Sequence, residues 1–100
     1  MPLFKKWSHY NKINVSNESE GYGIYELGDA SGNILYIGEG HIQSRLFSHF
    51  IASSDPIPGV GIYRVEYTAS KERAEQRERA EIRDYTRSHG DCPKFNDRLG

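Results

Sequence analysis

One hundred residues make one domain, with no room for a second core. Thirteen Lys and Arg stand against fourteen Asp and Glu, and the formal net charge of −1 excludes a tail-type DNA binder held by bulk positive charge. The single cysteine, Cys92, excludes an internal disulfide and a cysteine-rich zinc site, and no stretch approaches the ~18 consecutive apolar residues of a membrane span.

Residues 1–20 read as an N-terminal extension, polar with scattered aromatics, and 14–20, rich in Asn, Ser and Glu, read as a loop. No apolar run follows Lys5 and Lys6, so no export signal is expected and the cytoplasm is the expected compartment. Lys5, Lys6 and Trp7 form a candidate cation-plus-stacking patch for nucleic acid. The competing reading has Phe4 and Trp7 covering an edge of the domain. Residues 22–27 (YGIYEL) are β-branched and aromatic and read as a strand. A dense turn signal over 28–33 joins them to a second strand at 34–37 (ILYI), so the pair is a β-hairpin, and Gly38-Glu39-Gly40 is expected to break the strand.

Apolar residues at Ile42, Leu46 and Phe50 have helical spacing and predict a helix over 41–53. Arg45 and His49 sit together beside that stripe, four residues apart. After a loop rich in Ser, Pro and Gly, residues 62–67 (IYRVEY) alternate as a third strand. Ser70 is a good N-cap for a helix over 71–88. The order β-β-α-β-α predicts an α+β domain over 21–100, with a small three-stranded, mostly antiparallel sheet flanked by helices.

The last helix carries an oddity. Ala74, Ile82 and Tyr85 share a face, Glu78 falls in its middle, and Glu81 falls on its edge. A carboxylate buried there must be paired or metal-bound. On a half-buried stripe it reaches water or an arginine instead.

Gly23-Ile24-Tyr25 and Tyr36-Ile37-Gly38 lie in order at hairpin spacing. Arg45 follows, then Glu78 within Ala74-x-x-x-Glu78-x-x-x-Ile82, then Pro93-Lys94-Phe95-Asn96. Over about residues 21–97 the chain resembles the GIY-YIG nuclease family. The resemblance implies a metal-dependent endonuclease that hydrolyses DNA phosphodiesters by a one-metal mechanism; RNA is the other substrate the residues admit. It makes Tyr25 the general base or its water-positioning partner and has Tyr36 orient the phosphate or the water. Gly38 would allow close backbone approach, Arg45 would stabilise the phosphate, and His49 would assist proton transfer. Glu78 would hold Mg²⁺ or Mn²⁺, with Glu81 as its rival, and Asn96 would hold the site together.

The chemistry needs these groups. Charge gathers on the phosphate oxygens during hydrolysis, and a guanidinium and a hard cation answer it. A phenol near its ordinary pKa of ~10 is a poor base without a positive neighbour.

Glu39 stands where many members carry Lys or a small residue. There is no Lys or Arg between Ile13 and Ser44, so a nucleic-acid face would draw on Lys5, Lys6, Arg45, Arg64 and the last helix. The low positive charge favours a second reading, a GIY-YIG-like module that binds nucleic acid or assembles with protein without cutting. A one-site nuclease cuts one strand at a time, so double-strand breaks would require a homodimer.

Overall fold

The computed structural model describes residues 6–96. Strand β1 (Ser8–His9), helix α1 (Lys12–Ser16), strands β2 (Tyr22–Gly28) and β3 (Ile34–His41) and helix α2 (Ile42–Ser48) come first. Strand β4 (Ile62–Tyr67), helix α3 (Lys71–His89) and a 3-10 turn at Lys94–Asn96 complete the order. The class is α+β, with a four-stranded antiparallel sheet in the order β1-β4-β2-β3.

The sheet therefore has one strand more than expected. Ser8 and His9 pair with Tyr63 and Ile62 on β4. Part of the segment expected as an extension packs into the core. Tyr10 stacks on Phe50 with ring centroids 4.3 Å apart and donates its hydroxyl to the Leu46 carbonyl at 2.6 Å. Part of the expected 14–20 loop is α1, N-capped by Asn11, and its Val15 is fully buried beside Tyr25, Leu27, Ile42, Leu46, Ile57 and Tyr63.

Two boundaries also move. Strand β3 runs on through Gly38-Glu39-Gly40 to His41 instead of breaking, pairing Gly38 with Tyr25 and Gly40 with Gly23. Helix α2 ends at Ser48, five residues short of the expected end. There the chain doubles back, the Ser48 carbonyl accepts from the Asp55 N–H at 2.9 Å, and the His49 carbonyl accepts from Ile57 at 3.0 Å.

Register and alternation give the sheet two different faces. Tyr25 and Leu27 of β2, Tyr36 and Gly38 of β3, and Tyr63 and Val65 of β4 share the face covered by α1 and α2. Ile24 and Glu26, Ile37 and Glu39, and Arg64 and Glu66 share the face covered by α3, where Ile24 packs on Ala74. That second face is held by ion pairs. Arg77 donates to Glu66 at 2.9 Å and to Glu81 at 2.6 Å, and Arg64 donates to Glu26 at 2.6 Å. Glu81 is 3 % exposed and Glu26 1 %. The buried stripe of α3 is therefore centred on Ala74 and Glu81, while Ile82 and Glu78 are only half-buried. This reverses the expected places of the two acids. Sequence periodicity ranks an isoleucine above a glutamate for burial, but a guanidinium already fixed by Glu66 makes Glu81 the better-matched group.

Candidate active site

Helix α2 begins directly where β3 ends, which fixes the side chains at its far end against the sheet. Glu20 anchors its first turn by accepting from the Ser44 N–H at 2.7 Å and from the Ser44 hydroxyl. Arg45 then lies in the last turn and His49 at the C-cap. The Tyr25 and His49 side chains are both fully buried.

The hydrogen bonds settle the His49 tautomer. Its Nδ1 lies 2.9 Å from the Asp55 carbonyl oxygen, which can only accept, so Nδ1 carries the proton. Nε2 is then the acceptor, and the Tyr25 hydroxyl donates to it at 2.6 Å. Burial, reinforced by Tyr36, pushes the Tyr25 phenol well above its ordinary pKa, against the pull of Arg45. The Tyr36 ring lies 6.1 Å from Tyr25 and 5.1 Å from His49, centroid to centroid.

The two tyrosines thus share one face, as the hairpin register requires. They differ in access: Tyr25 is enclosed, whereas Tyr36 is half-buried and lines an open cleft of about 430 Å³. The cleft lies at the β3 edge of the sheet, with Tyr36, Glu39, Gly40, Arg45, Lys71 and Glu78 around it.

The glycines of the two tripeptides serve close packing. A Cβ at Gly38 would fall inside the Tyr25 phenol and against Tyr36, and one at Gly23 would sit 2.5 Å from the Glu66 carbonyl oxygen. The close approach at Gly38 is therefore by the protein's own phenol. Gly40, at φ +130°, leaves room for the Arg45 side chain to cross the strand end.

Asn96 is fastened to the same strand. Its Oδ1 accepts from the Ile37 N–H and its Nδ2 donates to the Ile37 carbonyl, both at 2.8 Å. A side-chain amide so pairs the outer edge of β3 where a further strand would otherwise add.

The α3 side of the cleft is acidic. Burial first, then the Glu39 carboxylate, pushes Glu78 up to about 7, against the pull of Arg79 and Arg45. Glu39 Oε2 is shut away from solvent and has no hydrogen-bond partner. Among the described residues there is no group of three or more His, Cys, Asp and Glu placed to hold a metal. What the cleft offers a cation is two carboxylates of the hard-oxygen kind that suits Mg²⁺ or Mn²⁺.

Other expected residues lie elsewhere. Trp7 leads into β1 at the opposite edge of the sheet, and the Arg64 guanidinium sits over its ring at 4.2 Å while bound to Glu26. Lys6 is exposed near that edge, and Lys5 lies outside the described residues. The structure does not bring Lys6, Trp7 or Arg64 to the cleft. Glu81 is held by Arg77.

Asp55 is a partner that the sequence reading passed over as a loop residue. Its Oδ2 accepts from Arg45 at 3.4 Å and lies 3.7 Å from His49 Nδ1, so one aspartate touches both members of the Arg–His pair. The Asp-Pro step in a loop carried no periodicity to reveal it.

Among the described residues, no helix is long and apolar enough to cross a membrane. No curated protein sequence matches the chain significantly. A family profile described as a domain of unknown function, DUF7508, matches residues 1–85. That span takes in the N-terminal strand as well as Tyr25, Tyr36, Arg45, His49 and Glu78, and stops short of Asn96. The chain belongs to the DUF7508 family.

Proposed function

We propose that the protein is a divalent-metal-dependent endonuclease of GIY-YIG type that hydrolyses phosphodiester bonds in DNA. The observation that carries this reading is the meeting, around one open cleft, of Tyr36, Arg45 and Glu78, which come from a strand and two helices.

Arg45 is the phosphate-binding group. Its side chain is 37 % exposed and its bond to Asp55 is long, so a phosphate can take over the guanidinium without breaking a tight pair. Tyr36 is the phenol that meets substrate or water, and it orients them.

Tyr25 is enclosed and acts behind it as a positioning residue. Its hydroxyl, bonded to His49 and close to Arg45, holds both in place. His49, with Nδ1 tied to Asp55, has Nε2 as its acceptor, and the Tyr25 hydroxyl occupies it. Among the described residues neither Glu78 nor Glu39 is ion-paired, and the orphaned Glu39 oxygen fits a site built for a cation. Glu78 would hold a divalent cation, which would supply positive charge to offset that of the phosphate and leaving oxygens.

A second reading has support in Glu39. Its charge beside the cleft repels phosphate, as in a nuclease-like module that binds or assembles without cutting. Nicking of supercoiled plasmid with Mg²⁺ or Mn²⁺, against an EDTA control, separates the two. Arg45→Ala and Glu78→Gln should each lower the nicking rate about 100-fold or more, the usual cost of one transition-state charge contact. Tyr36→Phe should cost more than Tyr25→Phe once both are corrected for stability. No metal-dependent cleavage of DNA or RNA, or full activity in the Arg45 and Glu78 variants, overturns the nuclease reading.

A further inference from the structure

We propose that Glu39 is a second carboxylate ligand, beside Glu78, of one divalent cation bound in the cleft at the β3 edge. The inference deepens the nuclease reading and rests on it for the choice of cation; the residues themselves argue for a dicarboxylate site.

Glu39 pairs in register with Ile24, so its side chain is on the face covered by α3, the helix that carries Glu78. Both carboxylates line the same cleft. Oε2 of Glu39 is closed off from water yet accepts no hydrogen bond. A carboxylate oxygen loses its hydration on burial and needs a donor or a cation in return. Here a second acid stands opposite instead.

Nearby cations do not supply the missing partner. Arg45 is directed to Asp55, Lys71 is exposed at the rim, and Arg79, the other guanidinium acting on Glu78, is exposed. On the rest of this face the fold gives carboxylates their arginines: Glu26 has Arg64, and Glu66 and Glu81 share Arg77. The unpaired oxygen belongs to a residue that lines the cleft, and a cation shared by Glu39 and Glu78 would remove both the desolvation and the repulsion. Two carboxylates in a roughly six-coordinate shell leave the remaining positions to water and phosphate oxygens, the usual arrangement for Mg²⁺. Glu39 then attracts the metal that the phosphate needs, which reverses its apparent disadvantage beside a nucleic acid.

The test is Mn²⁺ binding to the full chain, followed by calorimetry and by electron paramagnetic resonance, without nucleic acid. Wild type should bind one Mn²⁺. Glu39→Gln and Glu78→Gln should each weaken binding at least about tenfold, since even the outer partners of metal ligands are worth that much. The double variant should show no saturable binding.

Without metal, Glu39→Gln should melt no lower than wild type, because it removes a repulsion. Should it fold poorly, Glu39→Asp carries the same test by drawing the carboxylate back, and it should also bind more weakly. Affinity within twofold of wild type in Glu39→Gln, or no binding by wild type at millimolar Mn²⁺, overturns the proposal. A protein that binds through both acids but never nicks plasmid keeps this inference and loses the nuclease reading. One that nicks, with Mn²⁺ affinity indifferent to Glu39, does the reverse.

Discussion

Glu78 and Glu81 lie within one turn of α3, and the sheet beneath treats them differently. Glu81 is buried, but Arg77 reaches it at 2.6 Å while also holding Glu66. Glu78 is less buried, yet its pKa is driven up to about 7, by burial first and by Glu39 next, with Arg79 and Arg45 pulling the other way without an ion pair. Depth of burial therefore does not pick out the acid left without an arginine. What separates the two is whether a guanidinium is fixed opposite. The interior of the α3 face is a region of matched charge, and the β3 edge is a region where like charges are kept together.

The largest expected effect lies in the matched region. Arg77→Ala withdraws the guanidinium from a carboxylate that is 3 % exposed and from Glu66 as well. Breaking such a buried pair from one side costs about 3 kcal/mol, which urea denaturation would read as a lower midpoint. Mn²⁺ affinity per folded molecule should stay unchanged, since neither Glu39 nor Glu78 is held by Arg77. A loss of metal binding alongside stability would merge the two regions and end the comparison.

A smaller effect is expected at Asn96. Its two hydrogen bonds to Ile37 secure the strand that carries Tyr36 and Glu39. Asn96→Ala should cost about 1–2 kcal/mol, because it removes two part-buried hydrogen bonds that water replaces in part. Hydrogen exchange should quicken at the Ile37 amide and leave the Glu66 and Arg77 amides as they were. Uniform quickening would mean that the β3 edge and the α3 interior open as one unit.

The sequence exposes the parts of this arrangement that obey period or motif. Alternation over 62–67 and helical spacing over 71–88 locate β4 and α3 almost to the residue. The paired tripeptides place Tyr25 and Tyr36 on one face of a hairpin, where they lie. What it hides depends on distant partners. A two-residue strand has no alternation to detect, so β1 and the burial of Val15 follow only once β4 offers an edge. Gly38-Glu39-Gly40 reads as a break because glycine weakens a strand. It stays paired because a phenol and an arginine stem need that space. The ranking of Glu78 over Glu81 could not be read either, since it turns on Glu66 anchoring Arg77 from another element.

The finest test sets the two acids against each other by pH. Glu78 is raised in the folded protein from 4.5 to about 7, so its ionisation is penalised there relative to the unfolded chain. The stability linked to it is complete below pH 4.5 and is lost as pH rises through about 7. Glutamine does not titrate. Glu78→Gln should therefore gain on wild type across that window and hold a constant advantage above it. Solvent screening at a half-exposed cleft reduces the gain to about 1 kcal/mol. Mn²⁺ should shrink this advantage, because the metal binds the charged wild-type site and stabilises it by mass action. Glu81→Gln should instead lose stability, because Arg77 then faces an uncharged amide. Paired denaturation curves at several pH values would show the two signs. The same sign for both variants would mean that Glu78 is as fully matched as Glu81 and that the cleft holds no charge for a cation to relieve.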